Sequence, residues 1–146
     1  MTVAAAVLGA GIRWGRVILG ALILELALFA VLIPIGVIFG LPSTAPGAPA
    51  VDATVFFASV PLACLVLGFL AGVWVARKTT ASFVLHGSLL GIVATLIYLG
   101  ICAIPPSTIR AVVAMYGAPL FLSVNGLRIA GCIAGAWYQG TQRVRR

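Results

Sequence analysis

The 146-residue sequence predicts an all-α, polytopic membrane protein: a single domain, residues 1–146, of four transmembrane helices with both termini cytoplasmic. Three observations predict it. Composition comes first: 63% of the residues are hydrophobic, only 8% are charged, and the mean hydropathy is +1.25. A soluble domain keeps much of its surface in water and carries about a quarter charged residues, so this chain needs lipid as its solvent. Run length comes second: four apolar stretches reach the roughly 20 residues a helix needs to cross a hydrocarbon core of about 30 Å, whereas barrel strands would be about ten residues and would alternate polar with apolar. The third observation is where the basic residues fall between those stretches, because positive charge stays on the cytoplasmic side.

The first helix is expected over residues 17–39, behind Arg13 and Arg16, and it carries Glu25 and Pro34. The stretch LPSTAPGAPAVD that follows reads as an extended, solvated external connector. Its Ala48-Pro49-Ala50 resembles a signal-peptidase site, but the apolar run before it is too long for a signal region, ends well upstream and contains an acid, so cleavage is not expected. The second helix, residues 54–76, ends at Arg77 and Lys78, which lead into a third helix over residues 83–104. A short external loop with Pro105, Pro106 and Arg110 precedes the fourth helix, residues 113–138, whose start Gly117 and Pro119 should kink. Arg143, Arg145 and Arg146 follow it. Pro34 and Pro61 are expected to bend their helices. Trp14, Trp74 and Trp137 fall at three cytoplasmic helix ends and Tyr98 and Tyr116 toward the other side, as an interfacial aromatic belt would place them.

Small residues recur every four positions: Gly68, Gly72 and Ala76, then Gly87 and Gly91, then Gly131 and Gly135. That spacing stacks them on one helix face, where close van der Waals contact can hold helices together in lipid. The phrase GFLAGVW at residues 68–74 is nearly repeated as GCIAGAW at residues 131–137, both running from outside to inside, consistent with a duplicated two-helix hairpin or with recurrence by composition alone.

Polar residues at depth are the candidate site. Glu25 lies about 12 Å and Arg128 about 15 Å from the cytoplasmic ends of their helices, counted at about 1.5 Å per residue. An isolated charge at depth costs about 2.5–3.5 kcal/mol on insertion scales, so the two should meet. Asn125, Arg128, Cys132 and Gly135 share one stripe of the fourth helix, which should face inward. Glu25 can then be a proton or cation carrier with Arg128 and Asn125 lining its path, or half of a structural ion pair. The pair is preferred, because a neighbouring cation keeps the carboxylate ionised and makes it a poor proton carrier.

Other function classes find less support. The net charge of +7 is scattered in twos and threes and forms no continuous basic face, which argues against nucleic acid. Cys64, Cys102 and Cys132 form no CxxC pair, and one histidine with two acids is too few ligands for a protein-held metal. No cofactor is predicted, although His86 beside Gly87 leaves a haem or a chlorophyll-type pigment open as a single axial ligand.

The segments GFLAGVWVARK and HGSLLGIVATLIYLG, with an arginine-bearing last helix and a basic tail, resemble the uncharacterised small four-helix membrane proteins of bacteria. That resemblance covers most of the chain, implies a bacterial inner-membrane location and lends no activity. LGALILELALF looks like the opening of small multidrug resistance exporters, but their aromatic and glycine pattern is missing and they have no arginine like Arg128. GAGIRW resembles the opening of small fluoride channels, whose phenylalanine- and threonine-rich break in the third helix is absent here. The expectation is therefore a non-enzymatic inner-membrane protein in lipid, working with other membrane subunits as an accessory or assembly component, or with itself as a homo-oligomer. The rivals are a small proton-coupled transporter or channel using Glu25 and a haem- or pigment-binding subunit using His86.

Overall fold

Four stretches are apolar at nearly every position, and a stretch whose backbone finds no water to bond closes its own N–H to C=O ladder as a helix. The computed structural model describes residues 11–40, 54–79, 82–104 and 106–144. Among these, α1 spans Trp14–Phe39, α2 Thr54–Ala76, α3 Phe83–Cys102, α4 Pro106–Tyr116 and α5 Ala118–Val144. All but α4 are long and apolar enough to cross a membrane. The proline- and alanine-rich connector, its Ala48-Pro49-Ala50 and the terminal Arg145 and Arg146 lie outside the described residues.

The expected boundaries need three corrections. The first helix starts at Trp14 rather than at residue 17, because Arg13 O already accepts the N–H groups of Arg16 and Val17. The third ends at Cys102 rather than at residue 104. The largest change is at the fourth: residues 113–138 are not one helix. Gly117 sits in the left-handed region at φ +71°, where a glycine pays no steric penalty, and it ends α4 by donating to Val113 O at 2.9 Å. Its own carbonyl then accepts Phe121 N–H at 3.0 Å and starts α5. Pro119 falls in the first turn of α5, where a missing N–H leaves nothing unbonded. The helix that follows runs past Tyr138 to Val144, since nothing between Gly131 and Arg143 stops it. The short loop expected before the fourth helix is thus largely α4. Helices α1 and α2 continue through Pro34 and Pro61 without interruption.

Helix α5 is the hub. It packs most extensively against α2 and then α3, while α1 packs against α2 and α3 and stands across the core from α5. The α2–α5 contact explains the repeated phrase, because the two copies lie against each other, parallel. A Cβ built on Gly68 would meet the backbone of Arg128 at 2.8 Å and of Cys132 at 3.4 Å, the residues three before and one after Gly131. Reciprocally, a Cβ on Gly131 would meet the backbone of Leu65 and Phe69, the residues three before and one after Gly68. Gly72 and Gly135 repeat the relation one turn further on, against Cys132 with Ala136 and against Phe69. The phrase is therefore its own partner, related by a local twofold, and each glycine lets the other copy's backbone in. Gly87 and Gly91 bring α3, antiparallel, onto Cys132, Ile133 and Ile129 of α5 in the same way.

Both ends of the bundle are tied off differently. At one end Arg16 donates to Trp74 O at 2.8 Å and stacks on the Trp74 ring at 4.5 Å, and Arg143 reaches the carbonyls of Thr79 and Arg77. Arg13, Arg16, Arg77, Lys78 and Arg143 thus share one end of the molecule. At the other end Tyr116 of α4 closes over α2, with ring centroids 6.4 Å from Phe56 and 5.9 Å from Phe57. Trp14 and Trp137 are exposed. Tyr98 and Tyr116 are not belt residues; their rings turn into the bundle, where a cation and other aromatics offer better contacts than its outer surface.

Candidate intramembrane charge site

Glu25 comes from the inner face of α1, one residue past the buried Leu24 and one turn before the buried Leu28. Arg128 comes from the stripe of α5 on which Asn125, Cys132 and Gly135 are buried as well. Arg128 Nη1 stands 2.9 Å from Glu25 Oε1, and each residue is 3% exposed. The contact is a charge pairing rather than an aligned hydrogen bond. It runs between helices on opposite sides of the core.

Three groups complete the surroundings of the guanidinium. Tyr98 of α3 places its ring 4.8 Å from Arg128 Cζ, a cation–π contact that does not need a second anion. Cys64 of α2 offers its sulfur 4.0 Å from Nη2, a soft, weak acceptor. Asn125 lies one turn away but spends its Nδ2 on Phe121 O at 2.8 Å, so it joins neither charge directly. Its Oδ1 and Arg128 Nε are both buried without a hydrogen-bond partner. Asn125 and Arg128 face a cavity of about 40 Å³ that Tyr98, Tyr116 and Cys64 help to line. That is room for about one or two waters, with Asn125 and Arg128 as polar groups in an otherwise mostly apolar lining. Arg128 therefore has an anion on one side, a ring on another and a small chamber toward α4.

The sequence places none of Tyr98, Cys64 and Tyr116 at the charge site: the tyrosines read as belt residues and Cys64 as an unpaired cysteine in an apolar run. A signal existed for two of them: Cys64 precedes Gly68 by one turn, and Tyr98 follows Gly91 by two, so both continue the small-residue faces that meet α5. Nothing local points to Tyr116, which is brought over the chamber by the turn at Gly117.

His86 lies elsewhere, at the basic end, fully buried. Its Nε2 accepts the Arg13 N–H at 3.3 Å, and its Nδ1 is 3.0 Å from Ser82 O, which can only accept, so Nδ1 carries the proton. Both ring nitrogens are occupied in fastening the start of α1 to the start of α3. His86→Leu is accordingly expected to cost about 1–3 kcal/mol by stranding the Arg13 N–H, and to leave the visible absorbance of the purified protein unchanged. Thermal unfolding and an absorption spectrum of the two proteins check this; a visible band lost with the side chain would restore the ligand reading. Among the described residues, no three of histidine, cysteine, aspartate and glutamate gather as a metal site would require.

Comparison with family models, with curated proteins and with solved structures returns no match.

Proposed function

We propose that the chain is a non-enzymatic integral protein of the bacterial inner membrane, with both termini cytoplasmic, that serves as an accessory or assembly subunit of a larger membrane complex or as a homo-oligomer. The observation that carries this reading is the Glu25–Arg128 pair, closed at 2.9 Å across the core with both partners 3% exposed. A pair so placed selects which helices face each other, the best-attested use of buried polar groups. The orientation rests on the gathering of Arg13, Arg16, Arg77, Lys78 and Arg143 at one end, which the positive-inside rule assigns to the cytoplasm.

A second reading has its own support. The unpartnered Asn125 Oδ1 and Arg128 Nε around a small chamber are what a polar pathway past Glu25 would use. One set of variants separates the two. In the structural reading, Glu25→Gln and Arg128→Gln each lose thermal stability or assembly, and exchanging the charges, Glu25→Arg with Arg128→Glu, recovers part of the loss. In the transport reading, Glu25→Gln melts like the parent and loses proton-coupled flux in liposomes. An exchanged protein no better than the single variants sinks the structural reading. Purification in mild detergent, with the co-purifying polypeptides identified, tells subunit from homo-oligomer.

A further inference from the structure

We infer that the outer groove between α1 and α2 is a binding site for one anionic phospholipid, an acyl chain lying along the groove and the phosphate against Arg16. Gly20, Ala27 and Ala71 make a shallow floor, Ile23 and Leu70 stand exposed as its rims, and Trp74 ends it. Beyond Leu67 the same two helix faces continue the groove past Ala63 to Ile35. The two stretches hold about 280 and about 310 Å³. On α1 the lining positions fall at helical spacings of three and four from Gly20 to Ile35, which makes them one face. Those fifteen steps span about 22 Å at 1.5 Å each. One leaflet's share of a ~30 Å hydrocarbon core is about 15 Å, so the groove is long enough for a full chain.

Charge decides which lipid. Arg16 lies one turn before Gly20, and its guanidinium is stacked on the same Trp74 that closes the groove. Nη2 is spent on Trp74 O and Nε finds no hydrogen-bond partner, so the protein leaves this half-buried guanidinium, set beside the residue that ends the groove, incompletely satisfied. The chain has only two acids. Glu25 is taken by Arg128, and Asp52 belongs in sequence to the connector that joins the far ends of α1 and α2. Arg13, Arg16, Arg77 and Lys78 at the groove's basic end therefore call for an anion from outside the protein, and a lipid phosphate bearing net negative charge supplies it where the chain is already held. The inference needs the chain to cross a bilayer and is indifferent to the role of the Glu25–Arg128 pair.

Native mass spectrometry of the full chain, titrated in mild detergent with phosphatidylglycerol or with phosphatidylcholine of the same acyl chains, tests it. The parent protein is expected to retain one phosphatidylglycerol with at least a fivefold preference that shrinks as salt rises, about what one surface charge contributes. Arg16→Gln is expected to lose about that fivefold preference while still binding both lipids weakly. Ala27→Phe, which fills the floor, is expected to lose both lipids alike while melting within a few degrees of the parent. Equal retention of the two lipids by the parent protein overturns the proposal without recourse to any variant. So does a lipid-free dimer that Ala27→Phe converts to monomer, for a second copy would then be the occupant.

Discussion

Glu25→Leu is expected to destabilise the bundle by about 3–5 kcal/mol, the cost of leaving a buried guanidinium without its counter-charge. Arg128 is buried in the core at 3% exposure, so its guanidinium has no water to turn to. Its remaining partners are the Tyr98 ring at 4.8 Å and the Cys64 sulfur at 4.0 Å, neither of which carries charge. Arg128→Leu should cost less, because a stranded carboxyl, unlike a guanidinium, can take up a proton and become neutral. The double variant Glu25→Leu with Arg128→Leu should lie closer to the parent than either single change, since it removes both desolvated charges together. Thermal unfolding of the four proteins in one detergent measures the coupling. If the double variant instead loses the sum of the two single losses, the charges act independently and the pair does not hold α1 to α5.

The second large effect is expected at the repeated phrase. Gly135→Ala should destabilise by about 3 kcal/mol, and Gly135→Leu should prevent assembly, because the new Cβ would overlap the carbonyl oxygen of Phe69. Backbone cannot rotate away as the end of a side chain can, so α2 and α5 must separate along the whole contact. Gly72 faces the Cys132 carbonyl in the same relation and should respond in the same way. Gly126 is the control: it lies on the same helix with nothing within 4 Å of a built Cβ, so Gly126→Ala should be neutral or slightly stabilising. Size-exclusion profiles and melting temperatures of the alanine variants check the contrast. Equal behaviour of Gly135→Ala and Gly126→Ala would mean that the close approach of α2 and α5 contributes nothing.

The two effects meet on α5. Gly131 and Gly135 hold it against α2, Gly87 and Gly91 hold it from the side of α3, and Arg128, three residues before the repeated phrase, carries the charge inward. The equivalent position in the first copy is Leu65, which is partly exposed. The local twofold thus has a polar side and an apolar side, and the departure from symmetry is where the candidate chemistry sits.

Much of this was legible residue by residue. Helix number and approximate span follow from run length, because a backbone in lipid has no partner but itself. The burial of Gly68, Gly72, Gly87, Gly91, Gly131 and Gly135 follows from the fourfold spacing of small residues. The meeting of Glu25 and Arg128 follows from the cost of either charge alone at similar depth. These are local or one-dimensional properties, and periodicity and depth along a helix axis are enough to read them. The break at Gly117 was half legible: its glycine and proline pointed to a kink, but whether a kink becomes two helices depends on what Tyr116 can pack against.

Tertiary structure alone decided the rest. That α1 and α5 lie across the core from each other, that the two copies of the phrase pack on themselves, that Tyr98 covers Arg128 and that Asn125 turns to its own helix all depend on the order and rotation of helices around the bundle. Apolar faces in lipid do not encode that order, because one leucine-lined face suits a neighbouring helix or an acyl chain equally well. It is set by the few places where backbones can touch and charges must meet, and those contacts join residues that are far apart in sequence.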